Sequence, residues 1–181
     1  MSTGPTKFAV FTNGDPPDFV VEKFGNYGDM YVSLLKDADA KEEWDCFRTF
    51  EGSFPSDADI PNYEALIFTG SKSDAYKDED WIVRCRDIIV KAHERKQKML
   101  GICFGAQLIA TALSGKVAPS NHGMQMGAVQ CTLMCDDVIF HRLMDNQSPT
   151  FVINQIHQDE IQALPEGARL LASSKFCPIE A

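Results

Sequence analysis

Residues 98–107, Lys98-Met99-Leu100-Gly101-Ile102-Cys103-Phe104-Gly105-Ala106-Gln107, decide the fold. Met99–Ile102 is a short apolar run that reads as a strand. Phe104–Leu113 suits a helix, closed by Ser114-Gly115. The residues between them form G-x-C-x-G, the thiol version of a strand-to-helix nucleophile elbow. A chain that turns this sharply forces the nucleophile into an unfavourable backbone conformation, and small residues two before and two after make room. A cysteine placed there sits at a helix N-terminus, where the dipole and free N–H groups stabilise a thiolate and can hold an oxyanion. Composition alone would produce about 0.03 such matches in a chain of this length.

Working outward, strands and helices alternate. Lys7–Thr12 is a run of β-formers closed by Asn13-Gly14 and Pro16-Pro17. Asp18–Lys36 carries apolar residues at helical spacing, weakened by Gly25 and Gly28. Trp44–Phe50 alternates like a strand, and Ser53–Asn62 is a Pro- and Asp-rich loop. Glu64–Thr69 is a third strand, leading into the turn Gly70-Ser71-Lys72-Ser73-Asp74. Asp78–Lys96 is the clearest helix, with acidic residues first, basic residues last, and Trp81, Ile82, Cys85, Ile88, Ile89 and Ala92 on its apolar face.

Beyond residue 115 the pattern changes. Strands are expected at Val129–Met134, Phe151–Ile156, Arg169–Ser173 and Phe176–Ile179, with a short helix near Asp137–Met144. The expected fold is therefore α/β: a three-layer, mainly parallel flavodoxin-like sheet with helices on both faces and added antiparallel strands. At 181 residues a single domain over 1–181 is expected.

Composition narrows the function. The net charge of −9 disfavours phosphate backbones and anionic bilayers, so neither nucleic acid nor membrane is an expected partner. The first residues lack an apolar signal core, and six scattered cysteines without a CxxC pair suit a reducing, cytosolic setting. Cys131 and Cys135 lack a second ligand pair at zinc-site spacing, so no metal is expected. Neither a P-loop nor a G-x-G-x-x-G occurs, and no cofactor is expected.

The elbow and several other segments resemble class I glutamine amidotransferase domains, and among them the plant γ-glutamyl peptidases. These segments are Trp44-Asp45-Cys46-Phe47-Arg48, Thr69-Gly70-Ser71 with Asp74-Ala75, Asp80-Trp81-Ile82-Val83, His157-Gln158-Asp159-Glu160 and Leu170-Leu171-Ala172-Ser173-Ser174. The resemblance implies a thiol hydrolase that cleaves γ-glutamyl bonds of glutathione conjugates or similar small molecules. Cys103 would be the nucleophile, forming a γ-glutamyl thioester. The backbone N–H groups of Phe104 and Gly70, next to Ser71, would form the oxyanion hole, and Gln107 would help hold the glutamyl group. The turn His157-Gln158-Asp159 would contact the α-amino and α-carboxylate ends.

Two positions depart from the family pattern. Ala106 stands where many relatives have His. The 181 residues also contain no His-Pro-Glu, the motif that carries the family's general base and its partner, so a C-terminally shortened domain is expected. Of the four histidines, His93, His122, His141 and His157, the last is the best placed to substitute or, more simply, to shape a substrate loop. A γ-glutamyl-ligand binding protein of impaired activity and a glutaminase subunit are the alternatives. Met124, Met126 and Met134 are expected to pack, and Trp44 and Trp81 to act as half-buried anchors.

Overall fold

The computed structural model describes residues 4–134 and 149–181. The expected helix near Asp137–Met144, Cys135 and His141 lie outside the described residues. The chain forms two compact units, Met1–Ala112 and Leu113–Ala181.

The first unit is a parallel sheet of β1 (Thr6–Thr12), β2 (Glu42–Arg48), β3 (Ala65–Phe68) and β4 (Lys98–Gly101) in the order β2-β1-β3-β4. The crossover from β1 to β2 runs one way across the sheet and that from β3 to β4 the other. Right-handed connections therefore put their helices on opposite faces. β1 and β3 flank the point where the order reverses, the crevice where ligands of such sheets bind.

Four helices follow the expected pattern with one correction. Asp18–Lys36 is not one helix but two, α1 (Asp18–Phe24) and α2 (Tyr27–Leu35). Gly25 breaks the run at φ +79°, and Asn26 and Asp29 cap the new start reciprocally. α3 (Asp80–Glu94) buries Ile82, Cys85, Ile88, Ile89 and Ala92, the face read from the sequence. α4 (Phe104–Ala112) buries Phe104, Gly105, Gln107, Leu108 and Ala110. The left-handed residue after α4 is Ser114, at φ +71°, and not Gly115. The strand expected to run to Phe50 ends at Arg48 and gives way to a 3-10 turn over Thr49–Glu51. The centre of this unit is Val10, Phe11, Leu66, Phe68, Ile82, Ile88, Ile89 and Phe104, with Phe11 and Phe68 stacked at 4.7 Å.

The second unit is antiparallel. β5 (Lys116–Pro119) pairs with β8 (Asp159–Ala163). β6 (Gln125–Leu133) lies between β7 (Thr150–His157) and β9 (Ala172–Ser174). Sequence periodicity missed β5 and β8, which are short and carry mixed faces, and began β6 four residues late. Phe176–Ile179 is not a strand. It is a turn held by the hydrogen bonds Ser174 N–H to Cys177 O (2.8 Å) and Cys177 N–H to Ser174 Oγ (3.0 Å). Met124, Met126 and Met134 do not pack: they are 58%, 72% and 52% exposed, because their side chains fall on the outer face or at the ends of β6.

Candidate functional site

Cys103 follows β4 and precedes the first residue of α4. Its φ is +55°, a region where a side chain costs roughly 1–2 kcal/mol, and its side chain is exposed. The neighbouring main chain imposes this conformation. Ile102 N–H donates to the Phe68 carbonyl (3.1 Å), Gly105 N–H donates to Ile102 O (3.0 Å), and Gln107 N–H donates to Cys103 O (3.1 Å). The glycines are required on both sides. A Cβ at Gly101 would stand 2.5 Å from the Gly105 carbonyl, and one at Gly105 would collide with the Phe68 carbonyl oxygen. Phe104 opens the helix, so its N–H has no intrahelical acceptor.

Gly70 leaves β3 beside this elbow. A Cβ built on it would point at Cys103 Cβ, 3.9 Å away. Gln107 is buried one turn into α4. The first unit thus brings together Cys103, Phe104, Gln107, Gly70 and Ser71. The turn His157-Gln158-Asp159 belongs to the second unit, with Gln158 exposed and Asp159 buried.

Two tyrosines that the sequence offered only as helix-face residues belong beside the thiol. Burial pushes the Tyr31 phenol up to about 12, a hydrogen bond from Gly70 pulls it the other way, and the charge of Cys103 adds to the rise. A bond that lowers a phenol pKa favours the phenolate, so the Gly70 N–H is its donor. Tyr27 is raised by burial and then by Cys103. Their spacing of four residues on α2 is the signal that places both on one face.

Asn13 was read as a turn residue. It is instead a fully buried junction. Its N–H donates to Thr69 Oγ1 and its Nδ2 to the Thr69 carbonyl, each at 3.0 Å, while its Oδ1 accepts from Thr49 Oγ1 at 2.8 Å. Cys85 Sγ lies 3.9 Å from the same Oδ1. This knot ties the ends of β1 and β3 to the 3-10 turn and α3. Beside it opens a cleft of about 400 Å³ lined by Asn13, Gly14, Asp15, Ser71, Lys72 and Trp81, among others. Trp81 lies 5.7 Å from Phe104, and its indole N–H donates to Glu79. Arg48 is held by both Asp15 oxygens (3.0 and 2.7 Å) and by Glu51 (2.7 and 2.9 Å), so its guanidinium is already engaged.

The remaining histidines are placed as follows. His93 is exposed in the last turn of α3, and His122 is exposed with its ring 5.5 Å from Phe176. His157 Nδ1 lies 3.0 Å from the Asp159 carbonyl oxygen, a bond that fixes the 157–159 turn.

A strained cysteine between two obligatory glycines, at the start of a helix and beside a strand-end glycine, is an acyl-transfer arrangement. The class I glutamine amidotransferase model matches residues 43–181. The chain belongs to the class I glutamine amidotransferase family. Within it, γ-glutamyl peptidase 4 of Arabidopsis thaliana is 38% identical over 175 residues, 96% of this chain and 69% of that protein. γ-Glutamyl peptidase 5 of the same plant is 37% identical over the same shares. A glutamine amidotransferase crystal structure from Thermotoga maritima superposes with a TM-score of 0.76 at 17% identity, over 96% of this chain and 69% of that one. Its likeness establishes the amidotransferase fold, a flavodoxin-like parallel sheet with antiparallel additions.

Proposed function

We propose that the protein forms a γ-glutamyl thioester on Cys103 and that its substrates are glutathione conjugates or similar γ-glutamyl compounds. The observation that carries this reading is the φ of +55° at Cys103, held between Gly101 and Gly105. Strain at a solvent-accessible thiol has no packing benefit, and its use is to present sulfur at a helix N-terminus. The relatives that are γ-glutamyl peptidases supply the substrate class.

Cys103 Sγ attacks the γ-carbonyl carbon. The carbonyl oxygen becomes an oxyanion that the N–H groups of Phe104 and Gly70 face. Collapse breaks the C–N bond and expels the amine, which takes up, through solvent, the proton given up by the Cys103 thiol; water then hydrolyses the thioester, releasing glutamate and regenerating the thiol. Gln107 supports the glutamyl group from within α4. The setting is the cytosol, with no nucleic acid, membrane or cofactor taking part.

The test separates nucleophile from turnover. A glutamine analogue with a diazoketone in place of the amide alkylates a thiolate that recognises a γ-glutamyl group. Labelling of Cys103, read by peptide mass and blocked by excess glutathione conjugate or glutamine, supports the reading. Labelling spread over Cys46 and other thiols, or insensitive to both competitors, would overturn it. Glutamate release from glutathione, a glutathione conjugate and glutamine then ranks the substrates.

A further inference from the structure

The second unit holds a close group of side chains drawn from the end of β7 and from the chain after β9. His157 at the end of β7, Cys177 in the turn after β9, and Glu180 place one ligand atom each within 4.8 Å of one another. Three features single them out. The His157 Nε2 and Glu180 Oε1 atoms are buried and find no hydrogen-bond partner among the described residues. Cys177 is 3% exposed. Glu160, 8% exposed, also has a buried Oε2 without a partner, and its charge acts on the Cys177 sulfur. Buried polar groups are normally satisfied, and leaving several unsatisfied at one place costs roughly 1–3 kcal/mol each.

Backbone bonds fix the positions of these residues. Asp159 O can only accept, so His157 Nδ1 carries the proton and the lone pair sits on Nε2. This is the orientation by which a backbone carbonyl prepares a histidine to bind a metal. Cys177 is pinned by Ser174, and Glu180 N–H donates to the Ala172 carbonyl at 2.9 Å.

The geometry points to a zinc site formed by His157, Cys177 and Glu180, with Glu160 beside the fourth position. Imidazole, thiolate and carboxylate are ligands that suit zinc. Ligand atoms around a tetrahedral zinc stand about 3.5 Å apart, so side-chain rotations of about 1 Å close the site. Binding releases the Cys177 proton to solvent and forms the metal–sulfur bond. The thiolate and the Glu180 carboxylate then balance the two positive charges of the metal. The spacing 157, 177, 180 matches no sequence motif, which is why no metal was expected from the sequence.

Cobalt(II), a spectroscopic stand-in for zinc, tests this with the whole 181-residue chain. The expected result is one equivalent bound, a sulfur-to-cobalt charge-transfer band, and its loss on addition of zinc. Cys177→Ser removes the band, Glu180→Gln weakens binding at least tenfold, and Cys103→Ala leaves both intact. Failure of the unsubstituted chain to give the band would overturn the proposal whatever the variants do. A band that follows Cys103 or Cys46 would overturn it too. Far-UV circular dichroism on each variant separates loss of ligand from loss of fold.

Discussion

Gly105 of α4 has no room for a side chain because the carbonyl of Phe68, the last residue of β3, occupies the place where a Cβ would go. The helix that begins at the nucleophile is therefore seated directly on the neighbouring strand. Gly105→Ala must push helix and strand apart, and we expect a loss of about 3 kcal/mol, at the upper end of overpacking effects. Chemical denaturation measures it, and a loss below about 1 kcal/mol would show that the close approach is not needed.

The strain at Cys103 can be weighed without reference to activity. Cys103→Ala and Cys103→Gly both remove the thiol, but only glycine tolerates φ +55° without penalty. The glycine variant should be the more stable of the two by about 1 kcal/mol, after glycine's greater entropy loss is set against relief of strain. Equal stabilities would mean that the left-handed conformation relaxes once sulfur is gone.

Asn13 joins the end of β1 to the end of β3 and to the 3-10 turn after β2. Replacing it with Ala takes the Nδ2 donor from the Thr69 carbonyl and leaves Thr49 Oγ1 only its bond to the Thr12 carbonyl. The expected cost is about 2–4 kcal/mol. Thr49→Val removes one arm and should cost less, about 1–2 kcal/mol. A thermal-melt series over both variants and the pair checks the order, and additivity of the two would argue against a shared network.

Alkaline pH should loosen the first unit through Cys85. Burial pushes this thiol up to about 12 from an ordinary value near 9.0. Its folded-state pKa is raised, so its contribution is complete below the unfolded value and is lost as pH climbs from about 9 towards about 12. Cys85→Ala should flatten that limb of the stability profile. An unchanged slope between pH 9 and 11 would exclude the thiol as its source.

Tyr31 accepts the Gly70 N–H that the proposed oxyanion hole requires. Tyr31→Phe releases that donor and should speed diazoketone labelling of Cys103 a few-fold, by about 0.5–1 kcal/mol of barrier. Slower labelling would instead assign the hydroxyl a direct part in holding the ligand.

The parts of the fold written in local pattern were legible in the sequence. The elbow is fixed by two glycines and a cysteine within a span of five residues, and α3 by an apolar face over four turns. Gly25 and Gly28 signalled weakness in the helix after β1, but only the reciprocal cap of Asn26 and Asp29 turns weakness into a break. β5 and β8 stayed hidden because they are four and five residues long and draw their stability from each other. The roles of Asn13 and Tyr31, and the meeting of His157 with Cys177 and Glu180, depend on partners 20 to 72 residues away. No window along the chain contains them.

The posture of the nucleophile is dictated by peptide groups and by two absent side chains, with nothing owed to the identity of the residues lining the cleft. Main-chain carbonyls are the one component that mutation cannot delete. A lineage can therefore redecorate the walls around Cys103, trading Trp81, Lys72 or Phe50 for other shapes and charges, while the elbow itself passes unchanged from ancestor to descendant. Specificity can drift on this scaffold without the reactive geometry having to be invented again.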